Sequence, residues 1–184
     1  MDYIIEVATI AISIIALGSA LIFNKHQIQH NKNSVRPYAN FKFNHSDQVI
    51  YVILQNAGIG PMLINALKVY IDSVEIDKEK SVMSCVNTII SREQLKKYYD
   101  IDYKHIRNKS VLSPDSEFSI ISLHERKDIK IKKDEEYYQT LAKLAFILRK
   151  ISIELDFDDI YKTNFTEERK FSNHFGERYL EYLE

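Results

Sequence analysis

The side chains with chemical potential in this sequence are mostly suited to binding, and the richest group is basic. Lys104, His105, Arg107 and Lys109 lie in one segment, and Arg126, Lys127, Lys130, Lys132 and Lys133 lie in another. Cations at that density can receive the phosphates of a nucleotide, an oligonucleotide or an anionic lipid headgroup if the fold brings the two segments together. Tyr98, Tyr99 and Tyr103 stand close by, and their rings suit base stacking as well as core packing. The competing reading is a solvated surface, which the balance of 25 Lys and Arg against 26 Asp and Glu favours.

Catalytic or metal-binding sets are harder to assemble. The six histidines, at 26, 30, 45, 105, 124 and 174, fall in different predicted elements, and Cys85, the one cysteine, has no basic neighbour in sequence. His45-Ser46-Asp47 carries the letters of a triad, but consecutive turn residues cannot place three side chains in relay geometry. His26 and His30 have the four-residue spacing of helical metal ligands without a third ligand nearby. Asp156, Asp158 and Asp159 invite a Mg²⁺ or Ca²⁺ reading, yet alternation along a strand already makes Asp156 and Asp158 its wet face. The segment Asn56-Ala57-Gly58-Ile59-Gly60-Pro61 joins strand to strand and lacks the Lys-Ser or Lys-Thr of a phosphate loop. The expectation is therefore a protein with no enzyme activity, no cofactor, no metal and no small-molecule substrate.

The remaining chemically interesting group is a stripe within an apolar leader. From Ile4 to Phe23 the chain reads IIEVATIAISIIALGSALIF, 20 residues with one ionisable side chain. At about 1.5 Å per residue such a helix crosses the roughly 30 Å hydrocarbon layer of a bilayer. Acidic Asp2 and Glu6 stand where a cleaved signal would carry Lys or Arg, so residues 1–23 read as a retained transmembrane helix. Lys25, Lys32 and Arg36 follow the span, which predicts a single pass through the inner (cytoplasmic) membrane with the C-terminal domain cytoplasmic. Glu6, Thr9, Ser13, Ala16 and Ala20 recur at steps of three and four and form one seam of small, polar side chains. Such a seam lets membrane helices approach closely, and in a ring of protomers Glu6 would supply a ring of carboxylates suited to cations. Snorkelling of Glu6 and back-bonding of the hydroxyls to their own helix are the alternatives.

The rest of the chain supplies the elements that would govern such a helix. Residues 24–36 form a polar neck that can remain helical until Pro37. Beyond it, residues 37–184 read as a β-sandwich-like domain with helical insertions, mainly β within an α+β class, built from about seven strands. Ala39, Phe41 and Phe43 alternate with polar residues, residues 48–55 return as a hairpin, and residues 62–72 follow a turn in which glycines provide positive φ. Ser91 with Gln94 makes a capping box for a helix near 91–99, and Asp134 caps a longer one near 134–150. Ser113-Pro114-Asp115-Ser116 is a type I turn signal before a strand at 118–124. Residues 151–158 alternate cleanly, residues 161–171 return beside them, and GERYLEYLE ends the chain as a short helix.

The order of apolar span, polar neck, Val35-Arg36-Pro37, strand, Asn56-x-Gly58-x-Gly60-Pro61 and a late ISIELDFDDIYKTNF hairpin resembles small bacterial single-span membrane proteins with a compact β domain. Membrane effectors of antiphage defence are similar in plan, among them the β-domain effectors of cyclic-oligonucleotide systems and the channel subunit of the Hailong system. The resemblance implies a homo-oligomeric, membrane-depolarising ion channel, gated by its cytosolic β domain and by a regulatory protein, nucleotide or oligonucleotide. A non-conducting membrane-tethered adaptor that presents a β-sandwich to a soluble partner is the alternative. A tethered hydrolase or nuclease has no supporting residues.

Overall fold

In the computed structural model, which describes residues 2–76, 81–103, 109–175 and 182, the chain divides into two compact units between Arg36 and Pro37. The first is one uninterrupted helix, α1 (Asp2–Ser34), whose 33 residues extend about 50 Å. The apolar leader and the polar neck therefore belong to the same helix, which ends three residues before Pro37 removes a backbone donor.

The second unit is mainly β, with two antiparallel sheets. One sheet has the order β1-β2-β7-β5, formed by β1 (Ala39–His45), β2 (Val49–Asn56), β7 (Glu117–Glu125) and β5 (Tyr99–Asp102). The other has β4-β3-β8-β9, formed by β4 (Val74–Glu75), β3 (Met62–Ile71), β8 (Ile151–Asp158) and β9 (Asn164–Lys170), with β6 (Ser110–Leu112) also paired to β3. The two-residue hydrophobic periodicity that defines these strands is visible in their burial. Ile50, Val52 and Leu54 of β2 and Ile151, Ile153, Leu155 and Phe157 of β8 face one core, while the residues between them do not.

Three helices pack into that core. Ser81 and Ser84 form a reciprocal capping box for the short α2 (Val82–Val86), which the sequence reading did not anticipate. Ser91 Oγ accepts from Gln94 N–H at 3.1 Å to cap α3 (Arg92–Tyr98), while the Gln94 amide donates instead to Thr140 Oγ1 at 3.1 Å. Asp134 caps α4 (Glu135–Arg149) by accepting from Tyr137 N–H at 3.2 Å. The buried side chains of α4, from Tyr137 to Leu148, cover more than half its circumference, so this helix is packed on several sides.

Several sequence expectations are corrected by the backbone. The described residues form nine strands rather than about seven, because the brief β4, β5 and β6 are too short to show a hydrophobic period. The return strand begins at Asn164 rather than at Tyr161. No described glycine has positive φ; the left-handed positions are Asp72, Ser73, Lys109, Asp115 and Lys162. Positive φ at Asp115 gives the 113–116 turn type II character in place of type I. The connection after Asn56 is not a hairpin reversal either, since β2 and β3 lie in different sheets.

A buried asparagine holds that crossover. Asn56 Nδ2 donates to Gly60 O at 2.8 Å and to Leu112 O at 3.0 Å, while its Oδ1 accepts from Gly58 N–H at 3.1 Å and Tyr38 N–H at 3.2 Å. Its backbone also exchanges hydrogen bonds with Asp115 and Ser116. One side chain thus satisfies four backbone groups where the chain passes between sheets, which removes the need for a glycine conformation. Of the expected terminal helix at 176–184, all but Tyr182 lies outside the described residues; before it, Phe171–Asn173 form a single 3₁₀ turn.

Candidate functional site

The first candidate is the face of α1 that carries Glu6, Thr9, Ser13, Ala16 and Ala20. At 100° per residue these five positions fall within an arc of about 80°. Every side chain from Tyr3 to Asn31 is exposed, and the helix is long and apolar enough to cross a membrane. The hydroxyls are already engaged: Thr9 Oγ1 donates to Ile5 O and Ser13 Oγ to Thr9 O, both at 2.8 Å. Their protons are spent within the helix, so what the stripe offers a neighbouring helix is small volume and oxygen acceptors.

The basic segments come out differently from the sequence picture. Lys104 and Arg107, with His105, lie outside the described residues. Lys109 is exposed, with its N–H donating to Ile64 O of β3 at 2.9 Å, whereas the segment 126–133 leaves β7 of the other sheet. Among the described residues no hydrogen bond or ion pair joins Lys109 to that second segment.

The second segment is largely paired with acids. The Arg126 guanidinium grips both carboxylate oxygens of Asp128 and donates to Lys96 O at 3.2 Å. That hydrogen bond raises the pKa of Arg126 and lowers that of Asp128. Lys133 lies 3.4 Å from Glu125 and 4.0 Å from Asp47, with its ammonium 5.5 Å from the centre of the Tyr137 ring. Burial acts to lower the Lys133 pKa, but the charges of Tyr137, Glu125 and Asp47 outweigh it and the net direction is upward. Lys132 is 3.8 Å from Asp134, and Lys127 and Lys130 are exposed. A shallow cavity of about 220 Å³ lies beside Lys97, Tyr98, Lys130, Lys132 and Asp134, with Lys97 held by Glu136 at 2.6 Å.

The neighbouring tyrosines are structural. Tyr98 and Tyr99 are buried, which takes them out of reach of a stacking base, and Tyr103 packs partly against the same core. The Tyr99 and Tyr137 hydroxyls stand 3.2 Å apart and both donate to Asp47 O, at 3.1 and 3.0 Å. Burial pushes both phenols above their ordinary pKa, most strongly at Tyr99. The late aspartates are likewise engaged. Asp159 is buried and accepts from Tyr161 and Thr163 N–H at 2.8 Å, Asp158 accepts from Asn164, and Asp156 from Thr166. Among the described residues no group of three or more His, Cys, Asp or Glu side chains is placed to hold a metal ion.

Two further features of the β unit have no counterpart in the sequence reading. At the Asn56 end, Leu63 pairs with Val111 on one side and Asp158 on the other, and exposed Tyr38, Ile59, Val111, Ile160 and Tyr161 gather around these strand ends. At the opposite end of β8, a cleft of about 490 Å³ lies among the β3–β4 hairpin, the end of α4 and the close of β9. Arg149, Lys150 and Lys170 line it together with Ser73, Ser152 and Ser172. Arg149 and Lys150 read in sequence as ordinary complements of a helix dipole, and Lys170 as the end of a strand. Only the pairing of Ser152 with Lys170 across β8 and β9 brings these groups to one cleft.

With this geometry in view, no family model, curated protein or solved structure matches the chain.

Proposed function

We propose that this protein is an oligomeric membrane effector, a non-enzymatic ion-channel subunit of an antiphage defence system. Its α1 helices assemble in the inner membrane, and the β unit, on the cytoplasmic side, controls their arrangement. The observation that carries this reading is α1 itself, apolar around its circumference, exposed throughout the span and marked by one narrow stripe of small and polar residues. Lipid suits the broad apolar surface, and a second copy of the helix suits the stripe. Glu6, costly against lipid, then faces a lumen where carboxylates favour cations. Gating by a regulatory protein, nucleotide or oligonucleotide completes the proposal.

The test is membrane potential in bacteria, followed with a voltage-sensitive dye after induction of the full chain, a chain beginning at Asn24, or a Ser13→Leu variant. Depolarisation by the full chain alone is the expected result. An unchanged potential at verified expression, with and without infection by phage, would remove the channel reading.

A second reading is favoured by the apolar end of the β unit. Tyr38, Ile59, Val111, Ile160 and Tyr161 form the kind of exposed apolar surface that docks a protein partner, as a non-conducting tethered adaptor requires. Charged substitutions at Ile59 and Val111 that abolish function while leaving oligomerisation and potential untouched would favour the adaptor.

A further inference from the structure

The seam on α1 does not stop where its apolar span ends. After Ala20 the same alternation of three and four residues continues through Phe23, Gln27, His30 and Ser34, so one face of the helix keeps its register from Glu6 to Ser34. A repeat of about 3.5 residues is the pattern by which parallel helices stay in contact over their length. In the neck, however, no apolar residue occupies the seam: Ile28 lies off it, and Gln27, His30 and Ser34 are polar. Lys25 and Lys32 fall on the opposite side of the helix, and the positions flanking the seam carry asparagines and His26. No like charges therefore meet when two copies align, yet nothing hydrophobic draws the necks together.

The two histidines supply another kind of attraction. His26 and His30 are both exposed and stand four residues apart on a continuous helix, one turn from each other on one side. At that spacing two imidazoles reach a single metal ion from one helix. The proton arrangement at His30 suits the role. Ser34 Oγ donates its proton to His30 O at 2.8 Å, so in its 3.4 Å contact with His30 Nδ1 the oxygen accepts and the ring donates. Nδ1 then carries the proton and Nε2 the lone pair, as in a metal-bound histidine whose second nitrogen is held by an oxygen. Among the described residues of one copy no third side chain joins the pair. A second copy aligned along the seam brings its own His26 and His30 to the same height, and four nitrogens complete a tetrahedral shell.

We infer that the neck of α1 is a metal clamp, in which His26 and His30 of two neighbouring copies hold one Zn²⁺, or a related divalent transition ion, through Nε2. Imidazole suits such ions, whereas Mg²⁺ and Ca²⁺ are held chiefly by carboxylates, of which residues 24–36 contain none. The ion supplies the attraction that a polar seam lacks and fixes the copies in parallel register beyond the apolar span. The inference rests on the assembly of α1 helices proposed above and does not require conduction.

The test uses the untagged full chain in detergent, freed of metal with a chelator. Zn²⁺ is titrated in competition with a chromophoric chelator, Co²⁺ serves as the spectroscopic probe, and sedimentation measures association with and without metal. Expected are one Zn²⁺ for two chains, a Co²⁺ spectrum of the intense tetrahedral kind that Zn²⁺ abolishes, and tighter association in the presence of metal. His26→Ala and His30→Ala each weaken binding at least tenfold. Ser34→Ala, which releases the His30 ring, weakens it by a smaller factor, and His124→Ala on β7 changes nothing. Alanine favours the helix, so the neck variants retain α1, which circular dichroism verifies. A chain that associates in chelator but binds no Zn²⁺ at submillimolar concentration overturns the clamp and leaves the assembly of α1 standing. A chain that stays monomeric with and without Zn²⁺ overturns both. Zinc binding retained when both histidines are replaced overturns the clamp, and so does octahedral Co²⁺ bound at one ion per chain.

Discussion

The two long helices of this chain are made of similar residues and have opposite surroundings. In α1 isoleucine, leucine, alanine and valine occupy the whole circumference, and no ionisable side chain occurs from Val7 to Phe23. In α4 the same residue types share the helix with Glu135, Gln139, Lys143 and Arg149, and its leucines, alanines and isoleucine are buried. Apolar content alone does not distinguish the two. What does is whether polar residues remain to wet one face, since a helix with none has no aqueous side and needs lipid or a partner.

The contrast is broken most severely on the α4 side. Leu144→Ala should lower the unfolding free energy of the β unit by about 2–5 kcal/mol, read by chemical denaturation of the full chain in detergent. Ile14→Ala should leave that transition in place; a matching loss there would show α1 to be part of the same cooperative unit. Next in size, Asn56→Ala should cost about 1–3 kcal/mol, because backbone groups at the crossover lose their partner in a buried site.

A pH series sharpens the same division. The phenols of Tyr99 and Tyr137 are held above their ordinary pKa, so the folded state keeps protons that the unfolded state releases. Their contribution to stability is complete below about pH 10 and is lost as the pH rises beyond it. The denaturation midpoint of the β unit should therefore fall on the alkaline side, less steeply in Tyr99→Phe. An identical slope in that variant would assign the alkaline loss elsewhere. The smallest effects belong to α1: Ser13→Leu or Ala16→Leu should weaken self-association in detergent by about 1 kcal/mol, while Ile14→Leu changes nothing. Equal behaviour of the three would remove the stripe as a contact.

Legibility followed the range of the interactions involved. Alternation at 39–43 and 151–158, the Asp134 cap and the apolar leader each depend on residues within one element, and each appears in the structure as β1, β8, α4 and α1. Asp156 and Asp158 also lie in β8 at the alternate positions the sequence gives them, whereas the turn held by buried Asp159 was not read from it. By contrast, the role of Asn56 was hidden, since its partners Gly60 and Leu112 include one 56 residues away. Of the acids set against the basic segment 126–133, only Asp47, in the turn between β1 and β2, comes from far along the chain, while Glu125, Asp128 and Asp134 are near neighbours in sequence. Tyr98 and Tyr99 looked available for stacking because nothing local says which face of β5 and α3 meets the core.

Residue order alone thus set the elements, the division of an apolar helix from a mainly β unit, and the seam of small side chains on α1. These rest on periodicity, capping and hydropathy, which act between neighbours a few positions apart. Tertiary structure decided which strands share a sheet, which charges meet an opposite charge, and where Lys170 comes to lie beside Ser152, Arg149 and Phe146. The physical reason is distance: ion pairs and clefts form between side chains a few ångströms apart in space, and here those side chains lie up to about a hundred residues apart along the chain.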